Sequence, residues 1–391
     1  MASPLKTKST PYFLALLCFV SSFTEFALVG ILDIVAESLG VSISTAGQLI
    51  TIFALAGGIG VPIVFALFSK VPQRQLLFCA LLLVIVGCGM TVVVHSYAAV
   101  MSSRILVAIG SGIFSALAFS IASQSAPEGR SMSAISTVMV GYNAALILGL
   151  PLGRLIAHHI GWKGIFLGTS IICLACIPIA MNLSVPQGPS DARPGGLTQQ
   201  LSLITRGTVL LMLSLNFLWI GGYAAVYSYI TQVIARLDLA HIASSILLGF
   251  GIATLFGSKL GGPIADKFGI RKTLLGVLAL HALILLLLLT SWHSGPASVI
   301  LLMAWGFCAW TPSAVMQQVA IFSAPDSANM ALSLKSSSTQ LAYAMGGAVG
   351  GLALSLGGTS LVIFTGTMLV VSAFIFAFKG PKYSQNTPKK G

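Results

Sequence analysis

Residues 262–275 read Gly262-Pro-Ile-Ala-Asp-Lys-Phe-Gly-Ile-Arg-Lys-Thr-Leu-Leu275, a short charged turn set between two long apolar runs. Its spacing Lys267-x-x-x-Arg271-Lys272-x-Leu274 occurs 197 residues earlier as Lys70-x-x-x-Arg74-Gln75-x-Leu77. Ser323-Ala324-Pro325-Asp326 likewise has a counterpart 198 residues earlier, Ser125-Ala126-Pro127-Glu128. Two matches at nearly one offset, about half the chain, indicate an internal duplication.

What lies between these turns sets the fold class. The chain has 391 residues, of which 56% are hydrophobic and only 7% charged; a soluble globule usually carries about 25% charged residues. Lipid must therefore cover most of it. Crossing a ~30 Å hydrocarbon layer takes about 20 apolar residues, and twelve such runs fill the sequence. They are 11–33, 45–69, 75–95, 97–122, 131–158, 162–183, 206–234, 241–265, 271–291, 295–320, 328–356 and 358–378. The expectation is an all-α membrane protein of twelve helices in two pseudo-symmetric six-helix bundles, residues 1–185 and 206–391. The Pro- and Gly-rich stretch 186–205 joins them as a cytoplasmic linker. The first run follows Lys6 and Lys8 as a signal peptide would, but it is long, contains Glu25 and lacks a small-residue cleavage site, so it reads as a retained helix.

The net charge of +12 is distributed unevenly. Placing the N-terminus inside puts fourteen Lys and Arg on the cytoplasmic face and leaves only Lys163 and Arg236 in outer loops. That bias places both termini in the cytoplasm. It also removes nucleic acid as the meaning of the basic composition. All six cysteines fall within the runs, where they act as small apolar residues; Cys173-x-x-Cys176 has no second ligand pair near it in sequence.

Gly262 through Lys272 resembles the loop signature of the major facilitator superfamily, in which an acid and basic residues, here Asp266, Lys267, Arg271 and Lys272, pair across a tight turn and latch one conformation. The first-half copy lacks the acid. Ser103-Arg104 with Ala108, Gly110 and Gly112 resembles the family's membrane-embedded arginine motif. Gly141, followed by Gly149-Leu150-Pro151-Leu152-Gly153-Arg154, resembles the glycine and proline motif of its antiporters, although Leu150 separates a glycine from the proline. Thr24-Glu25-Phe26, the stretch VSISTAGQLI at 41–50, and Ala309-Trp310 with Gln317 are similar to bacterial sugar-efflux and purine-efflux members of the drug:proton antiporter branch. The resemblance implies a proton-coupled antiporter in a bacterial inner membrane, using the proton gradient and no cofactor.

An ionisable group inside a bilayer is costly and therefore a functional candidate. Glu25 in the outward-running first run and Arg104 in the inward-running fourth fall at similar depth, within about one helical turn. A carboxyl group there has a charge state that answers to water access and to its neighbours, as a proton carrier requires. Asp33, eight residues on, is placed to share Arg104 or to pair with Arg154. In related multidrug antiporters an acidic pair so spaced, opposite an arginine, is tied to proton and substrate exchange, and the match falls on Glu25, Asp33 and Arg104. Lys335 and Lys259 lie near the cytoplasmic end of their runs, where a lysine can snorkel.

For a substrate pocket the seventh run offers Asn216, Trp219, Tyr223 and Tyr227 on one stripe, and the tenth Trp305, Trp310, Gln317 and Gln318. Gln48, Thr51, Tyr142 and Asn143 add polar positions on the second and fifth. Such stripes also serve packing or interfacial belts. An aromatic and amide lining of this kind suits a neutral or weakly polar solute: a sugar, a purine base or nucleoside, or a drug. No phosphate-binding loop with its lysine, nucleophile triad or metal-ligand cluster is visible, so the chain is read as a non-enzyme and a monomer whose partners are solute, protons and lipid. A uniporter, an importing proton symporter, and a transporter-like receptor or membrane enzyme are the rival readings.

Overall fold

The computed structural model describes residues 9–68, 71–126, 131–183, 202–290 and 295–379. Lys70, Pro127, Glu128, linker positions 186–201 and the basic residues of both chain ends lie outside the described residues. Eleven helices there are long and apolar enough to cross a membrane: α1 Thr10–Gly30, α2 Ile43–Leu67, α3 Gln73–Val93, α4 Tyr97–Ser125, α5 Ser133–Ile160, α6 Lys163–Met181, α7 Gly207–Tyr227, α8 Ala240–Phe268, α9 Ile270–Leu289, α10 Gly295–Ser323 and α11 Met330–Lys379.

At 50 residues, α11 would reach about 75 Å if straight. It leaves helical geometry at Gly357 (φ −147°) and at Gly358 (φ 66°, ψ −164°), a combination only glycine adopts readily. A Cβ on Gly346 would sit 2.6 Å from the Gly221 carbonyl oxygen, and one on Gly366 2.8 Å from that of Gly222. Residues twenty positions apart thus touch neighbouring residues of α7, so the two arms of α11 fold back on each other at the glycine pair. The break falls where the sequence separates the runs 328–356 and 358–378.

Helix ends follow local chemistry. Ser42 and Ser96 cap α2 and α4, their hydroxyls accepting from the backbone N–H of Thr45 and Ala99. The two cations expected in outer loops, Lys163 at the start of α6 and Arg236 at the end of a short helix, are both bound to helix ends. Lys163 Nζ donates to the carbonyls of Val92 (2.9 Å) and Val94 (2.7 Å) at the end of α3, and Arg236 donates to Leu289 O (3.2 Å) at the end of α9. Each neutralises orphan carbonyls at the negative end of a helix dipole.

Packing sorts the helices into two groups. α1 lies against α5 and α3 against α4 and α6; α7 lies against α11, and α8 against α10. The groups meet along two seams, α2 with α11 and α5 with α8. The first seam is tight at the end where α2 begins: Ser44 Oγ donates across it to Gly351 O (2.6 Å), and Tyr229, whose hydroxyl donates to Gly347 O (3.0 Å) of its own group, packs against Gly47 of α2.

Candidate functional site

The antiporter-like glycines occupy one face of α5 and bring it onto α1. A Cβ at Gly141 would lie 2.0 Å from Ala15 O, at Gly149 2.6 Å from the Phe26 Cβ, and at Gly153 2.7 Å from the Ala27 Cβ. Their spacing of eight and four keeps them in register on the helix surface. Pro151 lacks the N–H that would bond Ile147 O, and this carbonyl faces α8, where a Cβ on Gly251 would approach it to 2.8 Å. Arg154 closes the motif. It grips Asp33 with two hydrogen bonds (3.1 and 3.0 Å) and donates to Gly30 O. Of the two partners open to Asp33, the structure selects Arg154.

Between the two groups lies a cavity of about 470 Å³, lined by α1, α2, α4, α5, α10 and the first arm of α11. It extends from Glu25 and Phe53 toward Phe65, Ser120 and Ser333, so it opens at the face where α1 begins and is closed at the face where α1 ends. Glu25 sits at its inner end. Among the described residues this carboxylate has no hydrogen bond and no ion pair within 4 Å. Arg104, 1% exposed, points its guanidinium at Thr24 O (3.4 Å) and stacks over Phe53 at 4.3 Å. Glu25 thus borders the cavity while Arg104, stacked on Phe53 and bonded to the α1 backbone, is set back from it, and the two charges make no direct contact.

The expected substrate residues divide. Tyr142 and Gln317 line the open cavity. Gln48 and Thr51 belong to the α2–α11 seam, beside Gly351 and Gly347. Asn143 and Trp310 line a narrow space between α5 and α8. Asn216 is fully buried and bonds Ser338 (3.3 Å) and Thr339 (3.1 Å) of α11, while Trp219 donates to Ala309 O. These two hold helices together. Tyr223 is the hub of an aromatic cluster, with ring centroids 4.9 Å from Tyr227, 5.8 Å from Trp305, 5.9 Å from Trp310 and 6.2 Å from Tyr343. Trp305 Nε1 donates to His281 Nε2 of α9 at 2.9 Å.

Hydroxyls, which composition concealed, line the cavity instead: Ser22, Ser111, Ser115, Ser120, Ser333, Ser336, Ser337 and Thr339, with the amide of Gln340. The signal was present on α11, since 333, 336, 337 and 340 follow the i, i+3, i+4, i+7 rule of a single helix face. The expected latch forms differently. Asp266 makes no ion pair among the described residues; Asp266, Lys267 and Lys272 are exposed to solvent, where pairing gains little. Arg271 instead donates to Phe378 O at the end of α11, a cation on a helix C-terminus.

A profile of the Major Facilitator Superfamily matches residues 14–327 and 239–391. This chain belongs to the major facilitator superfamily. The transporter is 35% identical over 372 residues to an uncharacterized MFS-type transporter, YbcL, of Bacillus subtilis (strain 168), covering 94% of this chain and 95% of that protein. It is 27% identical over 377 residues to the inner membrane transport protein YdhP of Escherichia coli (strain K12), covering 96% of each. Among solved structures it resembles a bacterial homologue of the human lysosomal transporter Spinster, in an inward-facing and unoccupied conformation (TM-score 0.71, 14% identity, 96% of each chain). It also resembles the human organic anion transporter MFSD10 (TM-score 0.67, 16% identity, 96% of this chain and 100% of that one). The family makes this multi-pass major facilitator a secondary transporter and not an enzyme.

Proposed function

We propose that this transporter exports a small neutral or weakly polar solute, a sugar, a purine base or nucleoside, or a drug, in exchange for protons. It works by alternating access in a bacterial inner membrane, as a monomer with both termini cytoplasmic. Counting the two arms of α11 separately gives twelve spans, and residues 1–185 and 206–391 are the two rocking halves, joined by linker 186–205. On that orientation the cavity faces the cytoplasm, the side from which an exporter loads.

One observation carries the reading: the Glu25 carboxylate borders the open cavity without any protein partner among the described residues. A half-buried carboxylate left unpaired is costly to keep charged, so the site favours taking up a proton or a solute donor there. Arg104, anchored behind Phe53, biases that choice, and Asp33 with Arg154 braces α1 against α5 while it is made. Tyr142 and Gln317, with the serine face of α11, offer hydrogen bonds to solute. Among the described residues the cavity lining includes Glu25 and no lysine or arginine, which suits a neutral solute better than an anion. Gln48, Asn143, Asn216, Trp219, Tyr223, Tyr227, Trp305 and Trp310 act behind this lining, shaping it. Gly141, Gly149, Pro151 and Gly153 form the α1–α5 hinge; Asp266, Lys267, Arg271 and Lys272 are assigned to the latch, engaged in this conformation through Arg271.

The test is reconstitution in liposomes with an imposed pH gradient, screening sugars, purines and antibiotics. Glu25→Gln should bind solute and exchange it passively, yet lose gradient-driven accumulation. Accumulation that persists in that variant refutes the coupling.

A further inference from the structure

Beside Phe53 lies a second, small pocket of about 20 Å³ whose lining includes Glu25, Arg104, Tyr227 and Tyr343. The first two come from α1 and α4, the last two from α7 and α11, so the pocket straddles the two halves. Arg104 Nε and the hydroxyls of Tyr227 and Tyr343 are buried with no protein hydrogen-bond partner, and the Glu25 carboxylate is likewise unpaired among the described residues. Three buried orphan groups beside an unpaired, half-buried carboxylate are unusual, because buried polar groups in proteins are nearly always satisfied.

Size and charge select the occupant. A water needs about 10–15 Å³ of such space and two to four polar partners; this pocket supplies both. A solute large enough to be cargo does not fit, and the guanidinium of Arg104 opposes a bound metal cation. We propose that the pocket holds one structural water that bridges Glu25 and Arg104 of the first half to the Tyr227 and Tyr343 hydroxyls of the second.

This site gives the second half contact with the ionisation state of Glu25. A carboxylate only accepts hydrogen bonds, whereas a protonated carboxyl also donates one. The water and the tyrosine hydroxyls reverse their donor direction to match. When α7 and α11 move away from α1 and α4, the bridge is broken and the four groups must find solvent or solute. The connection to transport rests on the proposed role of Glu25, but the water itself does not.

Infrared difference spectroscopy on purified protein in lipid nanodiscs, in ordinary water and in water labelled with oxygen-18, tests the site directly. The expected result is an O–H stretching band of a single internal water that shifts with the label. It should be lost in the Tyr227→Phe/Tyr343→Phe double variant, which keeps ring volume. Ala54→Val, which fills the pocket wall while leaving all four polar groups in place, should lose it too. Each variant is compared at matched thermal unfolding. A label-sensitive band that survives both variants, or no such band in the parent protein, overturns the proposal. Loss of the band in Ala54→Val with gradient-driven transport abolished in Glu25→Gln upholds both readings. Loss of the band with transport independent of Glu25 upholds the water and sinks only the coupling.

Discussion

The two halves of this transporter share a scaffold but not an interior. In the first, ionisable groups gather: Glu25 and Arg104 border one pocket, and the partly exposed Asp33 pairs with Arg154. In the second, the matching depth is filled by rings around Tyr223, and the Trp305–His281 bond has no acid in it. Yet the packing solutions coincide. Glycine brings α5 onto α1 and α11 onto α7, and a cation closes the end of α3 as another closes the end of α9. Duplicated backbones therefore keep their helix contacts while the side chains facing the seam diverge, concentrating charge control in one half and shape in the other.

The largest expected effect follows from the charged half. Glu25→Gln should remove gradient-driven accumulation altogether, whereas Trp310→Phe in the other half should alter solute preference and leave the dependence on the gradient intact. Equal loss of gradient dependence in both would dissolve the contrast. Next comes packing. Gly141→Val forces a side chain against the Ala15 carbonyl and should destabilise by about 1–3 kcal/mol, read as a lowered unfolding temperature in detergent. Gly276→Ala, in open space, should leave that temperature unchanged.

A smaller change is expected at the lining. Gln317→Ala removes one hydrogen-bonding group at the cavity wall, worth about 0.5–1.5 kcal/mol. Apparent KM should rise by roughly two- to tenfold with the pH dependence of transport preserved; a changed pH dependence would move Gln317 into the coupling machinery. Least of all should come from the half-exposed Asp33–Arg154 pair, with exposures of 31% and 15%. A double-mutant cycle with Asp33→Asn and Arg154→Gln should give a coupling energy of about 0.2–1 kcal/mol. A coupling several times larger would make the pair a determinant of conformation and not a brace.

Most of the architecture was legible because lipid imposes it: α1 through α6 fall on the apolar runs, and the split of the last run is marked by Gly357-Gly358 itself. The short helix Ile230–Arg236 was not separated from the run 206–234, since apolar composition continues across the turn at Tyr229, and most of Leu32–Leu39 lay beyond the end assigned to the first run at residue 33. At the site, Glu25, Tyr142 and Gln317 were found as rare polar groups in apolar surroundings. The serine lining was missed because serines are spread along the chain, and only helix phase shows which face the cavity. Asn216 and Trp219 were read for the pocket but bond to neighbouring helices: on α7 one stripe faces both the partner helix and the cavity, a division that spacing alone does not reveal.

On the proposed orientation, the lysine and arginine bound to the ends of α3 and α9 sit on the face that membrane insertion normally keeps poor in positive charge. Replacing Lys163 by Met would, on the proposed orientation, strengthen the charge asymmetry that guides insertion while stripping two carbonyls of their donor. Biogenesis and folded-state stability would then respond with opposite signs to a single substitution, and these two positions mark where retaining a fold has outweighed ease of entering the bilayer.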